Sequence, residues 1–337
     1  MELSVYCGVL DSPARAASLS ERLLGEARTR NHPLLYAYTL AGDVLSLGRF
    51  HVVPPARHGP VTVGRRKSGG RVAPLGDGYL ALALASPHAA ALVAGERHTV
   101  LPGQVLNRDV RGLLGALESL GVGAYYPGRD VVTVGGRVLA ALGFETAADG
   151  ATLVEACVAV GRSFAEVSAF ADRADPGGVV PVDLMLPEQA TSLAEASGRA
   201  PDLDELTAAL SMGYASRLGL EVATSQELRP PDPDPSWLDA GRLPAHLDRH
   251  ALAREMLGVL EVYAACQGRV ITDVRVCGDV IAPSATIERI EASLRGAPID
   301  RPELVRRVMD AAGAQADAVL GVRSIATIAE LAYTACA

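Results

Sequence analysis

Apolar positions recur at two periods along the chain, and the changes between them set out its elements. Leu3 to Val9 predicts a first strand, and Ser12-Pro13 starts a helix that runs through an Ala/Leu/Arg segment to about Arg30. LLYAYTL (Leu34 to Leu40) and VLSLGRF (Val44 to Phe50) predict two strands, joined at Ala41-Gly42-Asp43 by a natural hairpin connection. Val61 to Ala85 predicts two more, on either side of the small-residue turn Ser68-Gly69-Gly70. Val105, Leu106, Val110, Leu113, Leu114, Leu117 and Leu120 recur at helical spacing, and Gly121 is placed to end that helix. DVVTV (Asp130 to Val134), RVLAALGFE (Arg137 to Glu145) and ATLVEACVAV (Ala151 to Val160) read as strands separated by Gly135-Gly136 and Asp149-Gly150.

Helical segments follow at Ser163 to Ala171, Glu188 to Glu195 and Asp202 to Leu218. PPDPDPSW, Pro230 to Trp237, neither continues a helix nor donates regularly to a sheet, and reads as a boundary. Beyond it the pattern predicts a helix near Ala251, strands at Leu260 to Ala265 and Arg269 to Val276, and helices at Ala285 to Leu294, Arg301 to Ala312 and Ser324 to Thr334. The expected class is α+β: a mixed β-sheet with flanking helices, then a small C-terminal α+β domain. The expected division is residues 1–228, a Pro-rich linker over 229–245, and residues 246–337.

Composition narrows the function classes. The 337 residues are 49% hydrophobic, enough for a large core in two domains, and the net charge of -8 argues against general affinity for nucleic acid or acidic membranes. No apolar run approaches the ~20 residues of a bilayer span and the start has no signal pattern, so a cytoplasmic protein is expected. Cys7, Cys157, Cys266, Cys277 and Cys336 have no CxxC spacing, so each is expected to be a small buried apolar residue. The histidines, at 32, 51, 58, 88, 98, 246 and 250, form no HExxH; His246 and His250 stand four apart on a predicted helix face without a third ligand, so no metal site is expected. Lys67 is the only lysine.

That lysine sits in RRKSGGR, where Arg65, Arg66 and Arg71 flank Ser68, Gly69 and Gly70. Glycine lets a backbone approach an anion closely, and guanidinium groups take its oxygens in a fork. GRF at Gly48 to Phe50, RRKSGG, GRD with VVTVGGRVLAALG (Gly128 to Gly143), and ATSLAE (Ala190 to Glu195) together resemble the lipoate-protein ligase family, within the group that also holds octanoyltransferases and biotin ligases. GRVITDVRVCGDVI, Gly268 to Ile281, followed by a helix ending in LRG, is similar to that family's accessory domain, so the resemblance spans nearly the whole chain. It implies ATP-dependent (with Mg) activation of lipoate or octanoate as an acyl-adenylate. The acyl group then passes to a lysine of a lipoyl domain or another acyl-carrier protein.

Carried over by motif, the acyl- and adenylate-binding positions are Arg65, Arg66, Ser68, Gly69, Gly70, Arg71, Asp130, Gly136, Arg137, Val138 and Ala140, with Leu80, Leu82, Leu84, Val138, Ala140 and Leu142 as candidates to line an acyl channel. Val138 stands where the family has the lysine of Gly-Arg-Lys, and an apolar side chain cannot stabilise a developing oxyanion. The family's Asn before Asp130 is missing, and Pro181-Val182 stands where octanoyltransferases carry Pro-Cys. Two readings follow: a ligase acting through Lys67 in place of the family lysine, or a non-catalytic relative, a pseudoenzyme, that binds an acyl or lipoyl group, a nucleotide or a partner protein.

Overall fold

The computed structural model describes residues 1–55, 59–88, 90, 92, 102–181, 185–223 and 228–337. Strand β1 (Glu2–Leu10) leads into α1 (Pro13–Arg30), whose first turn is capped by Ser12 Oγ and which ends at Asn31 in the left-handed conformation (φ 53°). Then follow β2 (Leu34–Leu40), β3 (Asp43–Leu47), β4 (Val61–Arg65), β5 (Ala73–Leu75) and β6 (Tyr79–Ser86). Helix α2 (Val105–Ser119) precedes β7 (Ala124–Tyr125), β8 (Val131–Val134), β9 (Arg137–Thr146) and β10 (Thr152–Ala159). Helices α3 (Val167–Ala174), α4 (Leu193–Ser197) and α5 (Leu203–Leu218) precede β11 (Glu221–Ala223).

An eight-stranded mixed sheet runs β11-β1-β2-β6-β10-β9-β8-β7, parallel only where β1 meets β2 and β11. Helix α1 lies on the face that carries Glu155, to which Ser20 Oγ donates at 2.6 Å. Helices α2 and α5 pack so closely that a Cβ on Gly112 would lie 2.0 Å from the Tyr214 ring. A separate three-stranded sheet, β4-β3-β5, sits beside the first.

The C-terminal part contains α6 (Ser236–Asp239), a sheet of β12 (Arg249–Arg254), β13 (Val259–Gln267) and β14 (Val270–Gly278), and helices α7 (Ser284–Leu294), α8 (Arg301–Ala312) and α9 (Ala326–Cys336). Its core of Leu260, Val262, Val276, Ile290, Val308 and Ile328 takes in Phe50 from the N-terminal half, while Leu257 and Ile281 enter the larger core. His51 Nε2 and Asp279 Oδ1, 3.1 Å apart and both almost fully buried, pair across the same junction.

Four local expectations are corrected. Ala41-Gly42-Asp43 does not close a hairpin, because both edges of β2 are taken by β1 and β6, and β3 joins the smaller sheet. The helix expected over Glu188 to Glu195 is interrupted where Ala190 bridges to Val138 and Thr191 N donates to Val138 O at 2.9 Å. Residues around Ala251 form β12, so His246 and His250 share no helix face. Cys266 and Cys336, 70 positions apart, are joined in a disulfide that spacing alone does not signal.

The junction is packed at backbone distance. A Cβ on Gly143 would lie 2.1 Å from Gly69 O, one on Gly48 2.1 Å from Gly70 O, and one on Gly69 2.2 Å from Val280 O. Gly143→Ala is expected to cost about 1–3 kcal/mol in urea unfolding, as overpacking does. Gly123→Ala, with nothing within 4 Å of the added methyl, should change stability by less than about 0.5 kcal/mol.

Candidate functional site

Strand β4 delivers Arg65 to the end of the smaller sheet, where Leu47 pairs with it and Arg66 N donates to Leu47 O at 2.9 Å. The two arginines that follow from this register are buried, and their donors point at backbone. Arg65 Nε and Nη2 donate to Arg49 O at 2.9 and 2.5 Å, and its Nη1 to Trp237 O at 3.0 Å. Arg66 donates to Ser46 O and Oγ, both at 3.0 Å, and to Arg71 O at 2.7 Å. Burial, with Arg275 and Arg49 nearby, pulls the Arg65 guanidinium below its ordinary value; guanidinium basicity is high enough that it stays charged at neutral pH.

The glycine turn is likewise engaged by protein. Ser68 N donates to Glu155 Oε2 at 2.6 Å, and Gly70 N to Val280 O at 2.8 Å. Ser68 Oγ is buried with no hydrogen-bond partner among the described residues. Glu155, a lone carboxylate in an otherwise apolar strand, thus ties α1 to the turn. Its place in ATLVEACVAV was the signal that could have marked it, since an unpaired charge does not stay in a core.

Lys67 leaves the turn toward the linker. Its Nζ lies 2.8 Å from Glu21 Oε2 and 3.7 Å from the centre of the Trp237 ring. Arg65 and Arg49 also lie over that ring, at 4.4 and 5.0 Å, and Trp237 Nε1 donates to Arg65 O at 3.0 Å. The indole, the only one in the chain, offers the negative face that cations favour. The linker therefore lies along α1 and β4: Pro231 O and Arg229 O accept from Arg15 and Arg22, and Asp234 N donates to Ser18 Oγ.

The second group of motif positions assembles around β9. Arg71 forms a fork with the fully buried Asp130, at 2.5 and 3.0 Å. Gly135 and Gly136, at φ 57° and 80°, turn β8 into β9 at the surface. Arg137 pairs with Glu195, which also accepts from Thr191 Oγ1 at 3.1 Å. Val138 is half-buried against the core, opposite Thr133. Ala140, Leu142, Leu80, Leu82 and Leu84 are buried in the sheet's core. Lys67 and Arg71 thus face different carboxylates, Glu21 and Asp130.

Cys157 lies beside Arg66 in the core, and burial pushes its thiol above the ordinary range, so it stays protonated. Val182, His58 and His98 lie outside the described residues. Among the described residues no three His, Cys, Asp or Glu side chains come together to hold a metal, and no helix is long and apolar enough to cross a membrane.

Two cavities flank the linker. One, of about 310 Å³, opens between the start of α1, β4 and Trp237; its walls include Pro13, Ala14, Val63 and Leu238, with Arg65 and Arg242 among its polar residues. The other, of about 640 Å³, lies on the far side of Val53 and Arg242, against β12 and β13. A third space, between α1, β3 and β4 and bounded by Tyr38, Arg66 and Glu155, is only about 20 Å³, below the volume of one organic ligand.

Arg49 and Glu145 meet beside the turn, at 3.3 Å, and Glu145 Oε1 accepts from Ser284 N at 2.9 Å. Burial raises the Glu145 carboxyl above its ordinary 4.5, against the opposing pull of Arg49 and the Ser284 N–H. A carboxyl raised by folding contributes stability that is present below about pH 4.5 and is lost as pH rises through the folded value. Glu145→Gln is therefore expected to gain stability relative to the parent as pH rises from about 4 to 7, read from urea midpoints. A constant or reversed difference would remove this assignment.

No protein-family model matches the chain, and no curated protein matches it in sequence. Solved structures do. The LipL1 protein of P. falciparum in complex with lipoate matches with a TM-score of 0.61 and 13% identity, over 91% of this chain and 94% of that one. A bi-partite lipoate protein ligase from an archaeal lipoylation system of Thermoplasma acidophilum matches with a TM-score of 0.51 and 13% identity, over 72% and 90%. The large mixed sheet with its flanking helices is that of these proteins, and the chain has the lipoate-protein ligase fold.

Proposed function

We propose that this chain is a non-catalytic relative of the lipoate ligases that binds a medium-chain acyl group, lipoate or octanoate, in the 310 Å³ cavity between α1, β4 and the linker. One observation carries the proposal: the donors that would cradle a nucleotide phosphate are committed to protein, while the adjoining apolar cavity is open. Arg65 and Arg66 donate to carbonyls, Ser68 N to Glu155, and Gly70 N to Val280 O. Asp130, the carboxylate that would serve a magnesium ion, is forked by Arg71. These residues do not fit a triphosphate and its metal in this arrangement.

Each methylene moved from water into such a cavity contributes about 0.8 kcal/mol, so an octanoyl chain gains enough for measurable binding. Arg242, on the cavity wall and paired with Asp239 at 2.9 Å, offers a cation to the carboxylate end. The natural source of the acyl group, on this reading, is a lipoyl domain or another acyl-carrier protein. The T. acidophilum relative in fold was determined as part of a system with its E2 lipoyl domain. Support for a ligase would have to come through Lys67, which is held by Glu21 and the Trp237 ring.

Because Trp237 lines the cavity and is the only tryptophan, its fluorescence reports occupancy directly. Octanoate or lipoate is expected to change its emission saturably, and Ala14→Phe, which fills the cavity, to weaken binding at least about tenfold. No ATP–pyrophosphate exchange is expected with either acid, nor after Val138→Lys. Exchange that disappears in Lys67→Ala would replace this reading with the ligase one, and no saturable change in emission would sink the acyl site.

A further inference from the structure

The second cavity has a different character. Its walls are apolar on most sides, from Val52, Pro55, Val179, Pro181, Leu243 and Leu252, of which Leu252 is 54% and Val179 36% exposed. At its sheet wall stands one carboxylate, Glu261, only 2% exposed. Strand pairing puts His250 and Tyr263 directly opposite each other on β12 and β13, and Leu252 opposite Glu261, so all four lie on one face of the sheet. The opposite face, with Ala251, Val262 and Val276, is packed in the C-terminal core. A carboxylate on this strand is therefore not needed by the core.

Both neighbours serve the same oxygen. His250 Nε2 lies 2.8 Å from Glu261 Oε1, and the Tyr263 hydroxyl donates to it at 3.0 Å, with the two rings stacked 4.4 Å apart. Glu261 Oε2 is buried and has no hydrogen-bond partner among the described residues. An ionised carboxylate accepts through both oxygens, and leaving one dry and unpaired is costly. No charged group nearby donates to Oε2: the bonds of Arg242 run to Asp239 and Pro54 O, and those of Arg275 to the carbonyls of Arg242 and Ala240. Glu261 also lines the cavity, so a molecule held there lies beside the half-satisfied carboxylate.

We propose that this cavity is a second ligand site, which takes a small molecule with an apolar body and a primary ammonium group, the ammonium completing the coordination of Glu261. The ammonium is favoured over a neutral donor because hydrogen bonds between two charged groups are the stronger ones, and because the Tyr263 ring, which lines the cavity, is the kind of surface that attracts a cation. The apolar walls accept the hydrocarbon part, and the part-exposed His250 side chain, at 35%, stands at the polar end. The site shares Val53 and Arg242 with the acyl cavity but uses opposite charge, so the two ligands are told apart by their ends.

Hexylammonium is a direct probe, with hexanol and hexanamide as neutral controls of equal chain length, titrated calorimetrically into the full chain. Saturable binding of hexylammonium is expected, at least tenfold tighter than that of either control. Glu261→Gln should lose at least tenfold for hexylammonium and leave octanoate binding at the Trp237 cavity unchanged. Leu252→Trp, which blocks the exposed wall without touching the buried pair, should abolish hexylammonium binding, and serves if the Gln variant does not fold. Equal affinity for hexylammonium and hexanol, unchanged binding in both variants, or no binding at all would overturn the proposal, the last meaning that water alone completes Glu261.

Discussion

The structure depends on one close contact, the passage of Ser68-Gly69-Gly70 between β9 and the segment Val280–Ile281. Neither side leaves room for a methyl group, since Gly143 and Gly48 press on the turn from the N-terminal half and Val280 O meets Gly69 from the C-terminal one. Backbone packed on backbone must satisfy its own polar groups. Gly70 N reaches Val280 O, Ser68 N reaches Glu155, and Ser68 O accepts from Arg49 N. The His51–Asp279 pair and the exchange of Phe50 for Ile281 between the two cores then hold the halves in one register.

The same contact decides what the basic residues can do. A guanidinium buried without a carboxylate is tolerated only if its N–H groups are met by fixed dipoles. Arg65 and Arg66 meet that condition through main-chain carbonyls, and the half-buried Arg275 likewise donates to the carbonyls of Arg242 and Ala240. They act as struts between the smaller sheet, the linker and the C-terminal sheet. Positive charge remains at the site, but its donors are organised around protein rather than an oxyanion.

Much of the fold was legible because it rests on local pattern. The hairpins at Gly135-Gly136 and Asp149-Gly150, the α2 stripe and helices α5, α7 and α8 carry their signals within a few residues. Partner choice was not legible in the same way. Ala41-Gly42-Asp43 reads as a hairpin, yet which strand pairs with β2 is set by β1 and β6, whose sequences say nothing about each other. The motif residues 65 to 71 are contiguous in sequence, but their side chains diverge at the turn, Lys67 to Glu21 and Arg71 to Asp130. Their partners, Glu21, Glu155 and Trp237, were not legible, because each comes from an element distant in sequence. Trp237 in particular sits in a proline-rich stretch that composition marks as a spacer, whereas its ring is the surface on which three cations rest.

The edge of the large sheet has a consequence for how the chain is made. Strand β1 meets β2 within 40 residues, but its other neighbour is β11, with Glu2 paired to Glu221 and Glu221 N donating to Met1 O. Until residue 223 has been synthesised, the outer side of β1 is an unpaired strand edge, of the kind that invites pairing with another chain. Closing it late, through the most non-local contact of the sheet, makes this step slow by comparison with the local hairpins. The nascent protein is then most exposed to misassembly between completion of β2 and completion of β11, a window that closes just before the linker and its tryptophan arrive.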